Sequence, residues 1–293
     1  MTERPRVLVL TPSSGEREYD ACCRAVREQR GVAATHEVIA NKPKAEAHRL
    51  LYARIMAARA VFTYFVKLDA DMVLNGPDTL RACIDRMAAH RPAADHMKFT
   101  VRDWITQRDI WGMHLYANTV SWPSVEADPG FDRPDPARAH GKDPDPVRHH
   151  GKVKVRDAPA PVAMHAPDPG IDQAVYYGLD HTAKAVHIGR RTPKQVRHAW
   201  RKWRDLVAVR DHYRRNPDRR LALILAVAKD ATQLSAPVSS KHSADFAALR
   251  DRHAERGLDE LHAEIAPFWL RPGVAWRTWA RRVAAIAPAR DEG

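Results

Sequence analysis

The chain has little cysteine, with three in 293 residues, at positions 22, 23 and 83. An adjacent pair and one distant thiol make neither a disulfide framework nor a zinc-ligand pattern; such usage fits a reducing compartment and small apolar roles. Long apolar runs are also missing. The longest, LALILAVA at 221 to 228, falls far short of the roughly 18 residues of a membrane span, and its length predicts a buried helix segment. The opening MTERPRVLVL has no basic region followed by a long apolar stretch, so no secretory leader is expected and the expected location is the cytoplasm. What remains is a chain with 44% hydrophobic residues, enough for a substantial core, and a net charge of +12. Much of that surplus is one stripe: residues 190 to 220 hold twelve basic and three acidic side chains.

The first part of the chain alternates. VLVL at 7 to 10 reads as a buried strand that runs into the loop TPSSGERE, and CCRAVREQ at 22 to 29 is the centre of a helix. HEVIA at 36 to 40 is a second strand ending at Asn41. Residues 44 to 60 form a second helix, with Ala47, Leu51, Ile55 and Ala58 on one face. VFTYFVKL at 61 to 68, rich in β-branched and aromatic residues, is the third strand. Strand and helix in alternation predict an α/β domain with a mostly parallel, Rossmann-like central sheet flanked by helices. A helix at 78 to 90 with Asp78 as N-cap and strands at 97 to 104 and 110 to 117 complete this part, taken as residues 1 to 125. A proline-rich excursion follows at 126 to 169, holding nine of the 21 prolines and one strand near 153 to 157. From 170 to 293 the pattern is helical, with helices expected at 171–188, 193–215, 217–234, 243–256, 258–266 and 273–286, several of them opening near a proline.

Ligands in such sheets sit beyond the carboxyl ends of the strands. Three features are expected to converge there: residues 11 to 14, Asn41, and the AspAlaAsp at 69 to 71 that ends FVKLDADMVLNGP. Residues i and i+2 of an extended strand face the same side, so Asp69 and Asp71 present their carboxylates together. At a strand end a hard divalent cation, Mg²⁺ or Mn²⁺, neutralises such a pair and grips a diphosphate. The plain alternative is a strand that finishes in an Asn-Gly-Pro turn.

At VLVLTPSS (7 to 14), HEVIANKP (36 to 43) and YFVKLDADMVL (64 to 74), the sequence resembles the GT-A fold glycosyltransferases, family 2 in particular. The resemblance covers residues 5 to 120 best. It implies transfer of a sugar from a nucleotide-diphosphate donor, such as a UDP- or GDP-sugar, to a hydroxyl acceptor that the sequence does not identify. It further implies that Asp71 is a direct metal ligand, that Asp69 meets the donor ribose or the metal through water, and that Thr11, Ser13 and Asn41 line the nucleotide pocket. A later histidine often completes the metal shell in these enzymes. His165, in VAMHAPDPGIDQ, is the first candidate, ahead of His187; His140, His149 and His150 are expected to face solvent.

An inverting transferase also needs a general base within reach of the acceptor hydroxyl. The family's acidic pair followed by QxxRW is absent, which leaves Asp103 in VRDW and Asp172 in GIDQ as candidates, Asp172 equally as a helix cap. The basic stripe, with Trp200 and Trp203 among its arginines, suits an anionic partner such as membrane headgroups at the inner membrane surface, or equally a solvated helix face whose tryptophans point inward. Trp276 and Trp279 repeat the theme. Two rival functions are a nucleotidyltransferase, against which TPSSGERE lacks a glycine-rich basic phosphate loop, and a nucleic-acid-binding module, which leaves the paired aspartates unexplained; no nucleic-acid partner is expected.

Overall fold

In the computed structural model, which describes residues 4–120, 149–155, 160–186, 192–234, 241 and 243–284, VLVL becomes the middle of strand β1 (Arg6–Ser13). By its internal contacts the chain divides into two units: residues 1–104 with 108–168, and residues 105–107 with 169–293.

The first unit is α/β. β1 lies between β2 (Ala33–Ala40) and β3 (Tyr64–Lys67), parallel to both. Helices α1 (Tyr19–Arg27) and α2 (Lys44–Ala58) make the two connections. After β3 come β4 (Met72–Leu74), α3 (Thr79–Ala89), β5 (Ala94–Asp103), β6 (Arg108–Ala117), β7 (His149–Val155) and β8 (Ala163–His165). The strand order is β2-β1-β3-β6-β5-β8-β4, with β7 also paired to β5.

The sheet is mixed, not mostly parallel as the alternation suggested. β6 runs antiparallel to both β3 and β5, and β4 antiparallel to β8. The reason is the connection between β5 and β6, where Asp103 pairs with Arg108 across residues 104–107. A parallel neighbour needs a crossover of about a dozen residues or more, so a link this short can only close a hairpin. The third strand is also shorter than expected, and MVL, between the paired aspartates and the Asn-Gly-Pro turn, is a strand of its own.

Both faces of the sheet are covered, which is why β1 is apolar at every position from 7 to 10. Val7, Val9, Val66 and Leu115 pack with Cys22 and Val26 of α1 and Leu80, Cys83 and Ile84 of α3. Leu8, Leu10, Phe65 and Tyr116 pack with Leu51, Tyr52, Ile55 and Ala58 of α2 on the opposite face. All three thiols are free and buried, and burial pushes the Cys22 thiol up to about 12. A thiol so far from ionisation is inert, which agrees with the apolar reading of the cysteines.

The second unit is helical: α4 (Ile171–Val186), α5 (Pro193–Arg215), α6 (Arg219–Ala231), α7 (Ala244–His253), α8 (Leu258–Ile265), a π-helical turn (Ala266–Leu270) and α9 (Val274–Ala284). Local signals set the starts. Thr192 caps α5 in a capping box with Gln195, and Pro193 takes the first helical position, where its missing N–H is harmless. Asp218 and Ser243 cap α6 and α7 with their side chains. Every residue from Leu221 to Ala228 is fully buried, so LALILAVA is the central helix of this unit. α4 crosses it closely at Gly178, where a Cβ would stand 2.6 Å from the Ile224 carbonyl oxygen. Among the described residues no helix is long and apolar enough to cross a membrane.

Candidate functional site

The register of three strands builds the site in the first unit. Past β3 the chain keeps running beside β1, with the Leu68 N–H donating to the Leu10 carbonyl and the Ala70 N–H to the Pro12 carbonyl, both at 3.2 Å. Asp69 is thereby held beside the last residues of β1. The Met72 N–H then donates back to the Asp69 carbonyl at 2.9 Å, a tight turn that delivers the chain into β4. In β4, Met72 pairs with His165 of β8, and on the far side of β8 His165 pairs with Asp103 of β5. The Ala166 N–H donates to the Asp71 carbonyl at 2.7 Å and closes the row. Ala166 does so with φ 47°, in the left-handed region that a residue with a Cβ seldom adopts.

This row brings together three residues that lie 94 positions apart in sequence at its extremes. His165 Nδ1 is 2.8 Å from Asp103 Oδ1, and its Nε2 is 3.4 Å from Asp71 Oδ2. Asp103 is nearly sealed, with 2% of its side chain exposed, whereas Asp71 and His165 retain about a fifth. Burial works against a charged His165, but the Asp71 and Asp103 carboxylates outweigh it and hold the imidazole well above its usual range in the metal-free protein.

Asp71 Oδ2 and His165 Nε2 have a spacing that a divalent ion accommodates. Two ligands at right angles, each about 2.1 Å from an octahedral cation, are about 3 Å apart, close to the spacing of Asp71 Oδ2 and His165 Nε2. Asp103 supplies what a ligating histidine needs behind it, a carboxylate on the other ring nitrogen that fixes tautomer and orientation. A carboxylate with 2% of its side chain exposed and engaged by His165 Nδ1 at 2.8 Å, Asp103 is positioned to orient the imidazole.

The other expected residues are placed as follows. Asp69 is 41% exposed and is turned toward Lys67 Nζ at 3.5 Å. Ser13 and Asn41 meet at the ends of β1 and β2, where the Asn41 N–H donates to the Ser13 carbonyl at 2.8 Å and Asn41 takes a φ of 55°. The Ser13 hydroxyl donates to Glu16. Thr11 is wholly buried, with Oγ1 2.9 Å from His36 Nε2. Asp172 belongs to the helical unit, in the first turn of α4, where Arg250 holds its carboxylate at 2.5 Å. His140 and His187 lie outside the described residues, as do the side chains of His149 and His150.

Sequence reasoning missed two residues. Lys67 is a cation inside an apolar strand, and such a charge is almost never buried unless paired; that alone marks it, two positions before Asp69 and facing the same way. Glu18, in the loop read only as small and polar, is 3% exposed, and its Oε1 accepts from the Asp168 N–H at 3.1 Å. Burial raises its carboxyl above the ordinary value, and the Asp71 and Asp168 charges add to the rise.

A tighter trio sits in the helical unit. Ligand atoms of Asp230, His253 and Glu264 lie within 4.8 Å of one another. Lys229, Arg252 and Arg256 already pair with these two carboxylates, so the cluster is an ion-paired clamp between α6, α7 and α8 whose cations outnumber its carboxylates. No cation is required there.

No protein-family model and no curated protein matches the chain. Among solved structures, it is similar to a glycosyltransferase involved in the glycosylation of the major capsid of PBCV-1, with TM-score 0.32 and 12% identity over 57% of this chain and 95% of that one. A likeness of that size leaves the functional reading to the chain's own residues.

Proposed function

We propose that the first unit is the catalytic part of a metal-dependent glycosyltransferase. It would move a sugar from a nucleotide-diphosphate donor, a UDP- or GDP-sugar, to a hydroxyl acceptor. The observation that carries this reading is the row Asp71, His165, Asp103 set at the end of β3, with Asp69 beside it and Ser13 and Asn41 at the ends of the next strands. In the reaction, the bond from the anomeric carbon to the diphosphate oxygen breaks, a bond to the acceptor oxygen forms, and the acceptor hydroxyl gives up its proton to a general base or to water. Charge therefore collects on the departing diphosphate, and a bound Mn²⁺ or Mg²⁺ would neutralise it.

The protein's own groups prepare that site. Asp71 and His165 would hold the ion, which would displace the proton that the two carboxylates favour on Nε2 while Asp103 holds the one on Nδ1. Lys67 restrains Asp69, which leaves one exposed carboxylate oriented at the mouth of the site. Ser13 and Asn41 offer polar groups where a nucleoside would lie.

A thermal-shift panel of nucleoside diphosphates and nucleotide sugars, with and without Mn²⁺, tests the assignment. One nucleotide class at 100 times its Kd is expected to stabilise the protein by about 2.7 kcal/mol, roughly 5 to 10 °C, only when Mn²⁺ is present. A panel in which no nucleotide and metal combination moves the midpoint would remove the proposal. The role of Asp103 has its own test. Asp103→Asn is expected to weaken Mn²⁺ binding by about 10- to 100-fold, read by calorimetry with the metal alone. An unchanged Mn²⁺ affinity with a collapsed turnover rate would instead restore Asp103 as a general base.

A further inference from the structure

The basic stripe has no part in the site of the first unit, and most of it lies on α5, which carries eight Lys and Arg against two Asp. Several of these charges are already engaged within the helical unit. Lys202 Nζ is 3.1 Å from His181 Nε2, Arg210 holds Asp211 at 2.7 Å, and Arg214 donates to the Leu270 carbonyl at 2.6 Å. Asp205, the other acid, lies 3.7 Å from His181 Nε2.

Arg197 and Arg201 are different. Both are exposed, and neither forms a hydrogen bond or ion pair among the described residues. Four positions apart, they stand one turn apart on the same side of the helix, with the exposed Arg204 on the next turn. Packing fixes that side outward, because Ala199, Trp203, Leu206 and Val209 on the other side are buried. The cationic field reaches His198, whose imidazole is lowered first by partial burial and then by the Lys202, Arg201 and Lys184 charges.

What accompanies the arginines selects the partner. Among the described residues, the large apolar side chains left exposed are Val38, Leu50 and Val61, all in the first unit. The arginine face therefore has no apolar anchor of the kind that carries a protein interface. Trp200, between Arg197 and Arg201, is half-buried, and its ring is packed against that of Trp279 at 5.1 Å instead of being presented for base stacking. What remains is a row of guanidinium groups, each suited to paired hydrogen bonds with phosphate oxygens, on a convex helix that a flat array of phosphates can meet all at once. A bilayer surface rich in anionic lipid is such an array.

We infer that the face of α5 formed by Arg197, Arg201 and Arg204 docks the protein on anionic phospholipid headgroups. The contact is electrostatic adsorption, guanidinium to phosphate, with the buried tryptophans left in the core. It concerns the helical unit alone and is independent of the metal-site reading of the first unit. Each such arginine is expected to contribute about fivefold to binding.

The test is sedimentation of the full chain with vesicles of phosphatidylcholine alone, or of phosphatidylcholine with about one third phosphatidylglycerol, at low and at high salt. Wild type is expected to sediment with the anionic vesicles at low salt, to leave them at high salt and to ignore the neutral ones. Replacing Arg197 and Arg201 together by glutamine should weaken binding by about 25-fold. The thermal midpoint should hold, because glutamine suits an exposed helix position. Arg24→Gln with Arg27→Gln removes the same charge from exposed positions on α1 and should weaken binding by less than the loss of one docking arginine. Equal losses in the two double variants would mean that bulk charge, and not this face, attracts the vesicles, and would overturn the inference. Absence of anionic-vesicle binding in wild type overturns it too, as does an oligonucleotide that displaces the vesicles and depends on Arg197 and Arg201.

Discussion

Replacing Asp71 with asparagine is expected to lower sugar transfer by about 10³-fold or more while leaving the protein folded. The metal's contribution to stabilising charge on a departing diphosphate is several kcal/mol, and each 1.36 kcal/mol is tenfold in rate, so a loss of about 4 kcal/mol gives that factor. Asparagine keeps the volume of the side chain and removes its charge, so the ligand is lost without a cavity. The backbone contact that closes the strand row is untouched, because the Ala166 N–H bonds the Asp71 carbonyl and not the carboxylate. Initial rates at saturating Mn²⁺, with the donor found by the nucleotide panel, measure the effect, and thermal unfolding in chelator confirms the fold. Full activity in Asp71→Asn would end the assignment of the paired aspartates to catalysis.

The sequence made the elements legible where local chemistry decides them. The unbroken apolar run VLVL, the face of Ala47, Leu51, Ile55 and Ala58, and the proline and threonine at the start of α5 each act within a few residues, and the helices of the second unit follow from such signals. The sheet's direction was harder to read, because parallel pairing was inferred from alternation and carried past the point where it stops. The four residues between Asp103 and Arg108 hold the information that β6 turns back. Connection length is a stronger constraint there than strand composition.

The site divides in the same way. Asp69 and Asp71 stand out because two carboxylates at the end of an apolar run need a physical reason. His165 was reachable as a histidine after a short strand. The contact of Asp103 with His165 was not legible, since it depends on β8 lying beside the last residues of β5, a pairing across 62 positions of chain. Glu18 was hidden for a similar reason: its partner is Asp168, 150 residues away. Residues whose function comes from who sits opposite them leave little trace in a local pattern.

The largest effect on stability is expected at Trp203, and it bears on the basic stripe. Trp203 is fully buried, with its ring 5.2 Å from that of Trp269 and 6.2 Å from that of Trp279. Trp269 in turn donates its indole N–H to the Leu225 carbonyl of α6 at 2.8 Å, so the tryptophans join α5, α9 and the π-helical turn to the buried central helix. Trp203→Ala would open a cavity at that junction and is expected to cost about 3 to 5 kcal/mol, a large part of the 5 to 15 kcal/mol that holds a typical domain together. Trp203→Phe should cost much less, because the Trp203 indole N–H is buried without a hydrogen-bond partner and its removal leaves nothing unsatisfied. On the other side of the same helix, Arg197, Arg201 and Arg204 are exposed. Charge reversal at Arg197 or Arg201 is expected to stay within about 0.5 kcal/mol of wild type. Thermal or urea unfolding followed by circular dichroism compares the four proteins. These tryptophans therefore serve as core and not as a membrane-interface belt, and the opposite outcome, an unchanged midpoint in Trp203→Ala with lost binding to anionic vesicles, would return them to a membrane surface.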